Sequence, residues 1–118
     1  MALKGELDGL DLAALAALDD AGFRALFAGT PVKRTGRDRF LRNVLIAIGN
    51  SGRAELAQSA LPHLHDPSPL VRAMAVWALG RLAPAQALAL APAALEGEAD
   101  PQVRAEWQAL APRTEDAA

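Results

Sequence analysis

Five cations, Lys33, Arg34, Arg37, Arg39 and Arg42, stand within residues 33–43 and are opposed there by Asp38 alone. That segment carries +4 in a chain whose formal net charge is −2, so the remainder sums to −6. A uniformly solvated surface mixes its signs, and segregation of this kind fits local binding of an anionic partner. Guanidinium and ammonium groups are the natural contacts for phosphates. If all five met a nucleic-acid backbone, the log–log salt slope of binding would be about −3.5 to −4.5. The plainer alternative is a solvated helix face on which arginine is an ordinary resident.

Other chemistry is thinly represented. The chain has no cysteine, which removes disulfides, a thiolate nucleophile and sulfur ligands for zinc or iron–sulfur clusters. His63, His65 and Asp66 form an H-x-H-D run with a superficial metal-ligand look, yet residues two apart do not share a helix face. Gly49, Asn50, Ser51 and Gly52 resemble a phosphate-cradling loop only loosely: no strand precedes them and no lysine follows, so a turn between helices is expected. No serine, histidine and acid set points to nucleophilic catalysis. Expected bound groups in this chain are therefore none, neither cofactor nor metal nor small-molecule substrate.

The basic segment must be held by helices. Alanine and leucine dominate, β-branched residues are few and alternation is scarce, which predicts an all-α fold. The helices also recur. Matching "FLRNVLIAIGNSG" at 40–52 to "VRAMAVWALGRLA" at 71–83 by Gly49 and Gly80 gives an offset of 31, and matching Val71 to Val103 gives 32. Phe40, Leu41, Val44, Leu45 and Ile48 fall on one face of the first helix, with Val71, Ala75, Ala78 and Leu79 their counterparts. Arg39 and Arg42 then lie on the opposite, outward face, Arg37 in the first turn, and Lys33 and Arg34 in a loop pinned by Pro31. All five surround a helix N-terminus, itself favourable to anions.

Helix starts are marked by Ser68 before Pro69 and by Asp100 before Pro101. Thr35 with Asp38 suggests a capping box for the first helix, beginning near Gly36. Pro62 and Pro92 should kink or end the second helix of each pair. Upstream, 1–29 read as capping helices closed by Gly29, with Phe23, Leu26 and Phe27 covering the first repeat. Repeats are expected at 35–66, 68–98 and 100–112, with a polar tail at 113–118. No apolar run approaches the roughly 20 residues that span a bilayer, and Glu6, Asp8 and Asp11 interrupt any export signal. A cytoplasmic location with no membrane partner is the expectation.

This pattern resembles HEAT-like repeats, which implies a right-handed α-α superhelix. In that family an aspartate and an arginine six residues later build a ladder between neighbouring repeats. Asp66 with Arg72 has the spacing, Glu98 with Arg104 is a variant, and the first repeat departs with Thr35 and Leu41. A more specific resemblance lies in "FAGTPVKRTGRDRFLRNVLIAIGNSG", Phe27 to Gly52, and in His65 to Leu82. These are similar to the C-terminal region of epoxyqueuosine reductase, a tRNA-modifying enzyme of queuosine synthesis.

The resemblance implies a catalytic domain, in cis or in trans, that carries two 4Fe–4S clusters and cobalamin. None of its cysteines is in this chain. It implies for this chain a non-catalytic helical-repeat domain, with Lys33, Arg34, Arg37, Arg39 and Arg42 facing either tRNA or the catalytic domain. A protein-interaction scaffold unrelated to tRNA is the alternative.

Overall fold

The computed structural model describes residues 12–18, 21–22, 25 and 34–110. Described elements follow in order as α1 (Leu12–Ala16), α2 (Arg34–Asn50), a 3₁₀ turn (Ala54–Leu56), α3 (Ala57–Ala60), a second 3₁₀ segment (Leu61–His65), α4 (Pro69–Leu82), α5 (Pro84–Gly97) and α6 (Pro101–Ala109). No strand occurs among the described residues. The fold is an all-α repeat: α2, α4 and α6 are successive first helices, packed α2 on α4 and α4 on α6, and the second helices are α3 with its flanking 3₁₀ segments and α5. Phe23, Leu26, Phe27, Gly29, Pro31 and the tail 113–118 lie outside the described residues, as do the roles expected for them.

The helix starts obey the local chemistry. Ser68 Oγ accepts from the Val71 N–H at 3.5 Å, and Asp100 accepts from Gln102 and Val103 at 3.0 and 3.1 Å. Proline follows each cap at a position with no N–H obligation. The first helix differs from expectation: α2 begins at Arg34, so Thr35 lies inside it and cannot cap it. Pro62 falls where the chain passes from α-helix to 3₁₀ geometry, whereas α5 runs past Pro92 to Gly97.

Periodicity sets the core. Leu41, Val44, Leu45 and Ile48 of α2 meet Val71, Ala75 and Ala78 of α4, with Leu12 and Ala16 of α1 closing the end and Phe40 half-buried against them. Burying side chains of this kind stabilises by about 1.5–3 kcal/mol each for the larger ones. A second cluster joins α4, α5 and α6 through Ala73, Val76, Ala91, Val103 and Trp107.

Gly49 and Gly80 are close-approach positions inside helices. A Cβ on Gly49 would run into the Trp77 ring, and one on Gly80 into Leu110. Each repeat thus lays a bulky side chain from its successor on a helix surface stripped of its own. The turn itself uses Gly52, with φ +71°, a left-handed conformation that favours glycine.

Candidate nucleic-acid interface

The expected basic residues separate into two environments. Arg37 turns inward. Its Nη2 donates to Asp66 Oδ1 at 2.6 Å and its Nη1 to Asp66 Oδ2 at 3.2 Å and to Asp38 Oδ1 at 2.9 Å. The Arg37 side chain is 16% exposed and that of Asp66 only 5%. This bidentate pair raises the Arg37 pKa above its already high ordinary value, the hydrogen bond to Asp66 being the chief cause. At Asp66 burial opposes ionisation, but the Arg37 hydrogen bonds and the Ser68 N–H at 2.9 Å outweigh it, so the carboxyl sits below its ordinary value.

The expectation of five outward cations is corrected at Arg37. It is the first rung of the inter-repeat ladder, one helical turn before Leu41, the position that the register assigned to the rung. Leu41 is 1% exposed and belongs to the core, so the arginine function moved to the neighbouring turn on the same face.

The second rung is built alike. Arg72 Nε and Nη2 each donate to Glu98 at 2.9 Å, while Arg72 Nη1 reaches back to the Asp66 carbonyl at 2.8 Å. The six-residue spacing therefore brings arginine to the backbone of the acid before it, and its other edge reaches the carboxylate of the next acid of the ladder. Glu98 is held below its ordinary pKa, mainly by Arg72.

Arg39 and Arg42 behave differently. Arg39 is exposed, and no hydrogen bond or ion pair engages it among the described residues. Arg42 is half-exposed and makes one long contact, Nη1 to Asn43 Oδ1 at 3.5 Å. Both lie on the face of α2 turned away from its buried stripe. Lys33 is outside the described residues, and Arg34 is described only as the start of α2.

At the other end of α2, Arg81 donates from Nε to the Gly49 carbonyl at 3.0 Å and lies 5.3 Å from the Trp77 ring centroid. That cation closes a helix C-terminus, where positive charge is favourable. The sequence offered a signal for it, since Arg81 directly follows the repeat glycine.

The histidine run divides. His63 is buried and donates from Nε2 to the Ala16 carbonyl at 2.6 Å, whereas His65 is exposed. No group of three His, Asp or Glu suited to a metal occurs among the described residues. The iron–sulfur clusters implied by the resemblance find no cysteine ligands in this chain.

A separate open groove of about 770 Å³ lies between the 3₁₀ segment and α5. Leu61, Leu64, Leu90, Ala93 and Ala94 line it, with the Arg72–Glu98 pair at its edge. No helix among the described residues is long and apolar enough to cross a membrane.

A family profile described as HEAT repeats matches residues 34–111. The epoxyqueuosine reductase of Xanthomonas campestris pv. campestris is 38% identical over 79 residues, covering 66% of this chain and 22% of that protein. That of Alicycliphilus denitrificans is 37% identical over 86 residues, 66% of this chain and 24% of its own length. The Pseudomonas aeruginosa enzyme is 36% identical over 76 residues, 64% and 21%. This chain thus spans less than a quarter of the curated relatives it matches. No solved structure matches it.

Proposed function

This chain belongs to the HEAT-repeat family, and we propose that it is the tRNA-facing helical-repeat part of an epoxyqueuosine reductase, with no chemistry of its own. Its catalytic counterpart, carrying the clusters and cobalamin, lies in a separate domain or subunit. The observation that carries the reading is the outward face of α2: Arg39 is unengaged among the described residues, and Arg42 lies one turn on. In the sequence, Lys33 and Arg34 add two further cations just before these residues.

These groups act by neutralising phosphates and releasing counterions, a sequence-independent contribution that positions an RNA without reading its bases. With Arg37 committed to Asp66, the remaining four cations set a log–log salt slope of at most about −3 to −3.6. The test is tRNA affinity against salt for the wild type and for Arg39→Glu with Arg42→Glu. The proposal expects a weaker affinity and a shallower slope; an unchanged slope removes it.

The groove between the 3₁₀ segment and α5 favours a second reading, a scaffold that holds a partner polypeptide against Leu64 and Leu90. Co-purification with an iron–sulfur protein that survives nuclease treatment would favour this reading over the first.

A further inference from the structure

Among the described residues, the ladder has a repeating chemistry that is half complete at Arg104. Arg72 uses Nη1 for the carbonyl six residues before it, Asp66, and its Nε/Nη2 edge for the carboxylate of Glu98, 26 residues after it. Arg104 repeats the first half: its Nη1 donates to the carbonyl of Glu98, again six residues before, at 2.9 Å, and to that of Leu95 at 2.7 Å. The backbone bonds fix the guanidinium as they fix Arg72. Its Nε/Nη2 edge meets no carboxylate among the described residues.

The carboxylates of the two complete rungs also share a setting. Asp66 accepts the N–H of Ser68 and Glu98 that of Asp100, each at 2.9 Å, and Ser68 and Asp100 are the caps of α4 and α6. What an arginine edge receives here is therefore an acid two residues before a helix cap.

We infer that the outer face of α6 docks another polypeptide by receiving an acidic residue placed two positions before a helix cap, which pairs with the Nε/Nη2 edge of Arg104. The face continues an established interface. Ala105, 32 residues after Ala73, is exposed, whereas Ala73 is buried against Val103 and Trp107. It is also less apolar than that interface, because exposed Gln108 stands where α4 carries buried Val76. A dissociable partner fits such a surface better than a permanent further repeat.

Charge complementarity separates this partner from a second copy of the chain. Stepping back 31 or 32 residues from Asp66 reaches Thr35 or Arg34, so the sequence has no acid at the register position that Asp66 and Glu98 fill, and a copy stacked head to tail does not supply the missing partner. This inference does not rest on the tRNA reading.

The experiment titrates the isotope-labelled chain with a capped synthetic peptide of residues 98–110, which supplies an acid, a cap and the helix that follows, and with the same peptide carrying Glu98→Gln. The acidic peptide is expected to shift the Arg104 Nε–H and the Ala105 and Gln108 amide signals saturably. The glutamine peptide should bind about tenfold more weakly, the loss of one charge-assisted hydrogen-bonded pair. Ala105→Arg, at an exposed position, should keep the fold and abolish the shifts. Equal binding of the two peptides, an absence of shifts at Arg104, shifts retained in Ala105→Arg, or a head-to-tail dimer of the chain in sedimentation would each overturn the proposal.

Discussion

Arg37 and Arg39 are two residues apart on one helix and lead different lives. Arg37 faces the next repeat and is held by Asp66 and Asp38; Arg39 is exposed and has no partner among the described residues. Residue type and local charge density are the same for both. The difference is helical phase: 200° of rotation carries a side chain from the inter-repeat seam to the open face. One face of α2 thus builds the solenoid and the other is free to meet a partner, and variants on the two faces should fail in different ways.

The largest effect should come from the seam. Asp66→Ala removes the bidentate partner of the mostly buried Arg37 guanidinium, leaving it Asp38 alone, and leaves the Ser68 N–H without its acceptor, and should cost about 3 kcal/mol. Urea unfolding read by circular dichroism checks this; a loss under about 1 kcal/mol would place Arg37 among ordinary surface ion pairs. Gly49→Ala comes next. Its new Cβ must displace the Trp77 ring, and with it the Arg81 contact, for an expected cost of about 1–3 kcal/mol.

Acid should act on the seam as well. Asp66 and Glu98 have folded pKa values below their ordinary 3.8 and 4.5. Their contribution is complete above those ordinary values and is lost as pH falls through the depressed folded ones. A thermal melting series from pH 7 to pH 2 should therefore drop steeply below about pH 4, and Asp66→Asn should flatten the drop. Glu106 works with the opposite sign: burial raises its pKa, so the folded state gains as it protonates. Glu106→Gln should raise the melting temperature slightly at pH 7, the smallest of these effects.

Much of the seam was legible in the sequence. Ser68 and Asp100 announced their helices, the offset of about 32 fixed the register, and Asp66 and Arg72 carried the ladder spacing. Arg37 was not legible, because the register assigned its position to Leu41, and only packing shows that the core claimed Leu41 while the rung moved back one turn. Thr35 misled for a related reason: α2 begins one turn earlier than its apolar stripe requires, so a good capping residue ended up within the helix. Gly49 reads as part of a turn between helices and Gly80 only as its counterpart in the repeat, yet both lie inside helices. Their bulky counterparts, Trp77 and Leu110, lie about a repeat further along the chain, a distance over which local pattern says nothing about contact. On the open face, the outward phase of Arg39 and Arg42 followed directly from the buried stripe opposite them.

The most direct test of this division is the salt dependence of tRNA binding measured side by side for Arg37→Gln and for Arg39→Gln with Arg42→Gln. The account predicts that the log–log slope keeps its wild-type value in Arg37→Gln, whatever that variant loses in stability, and becomes shallower by about 1.8 in the double variant. A slope that changes with Arg37 and is indifferent to Arg39 and Arg42 would contradict it.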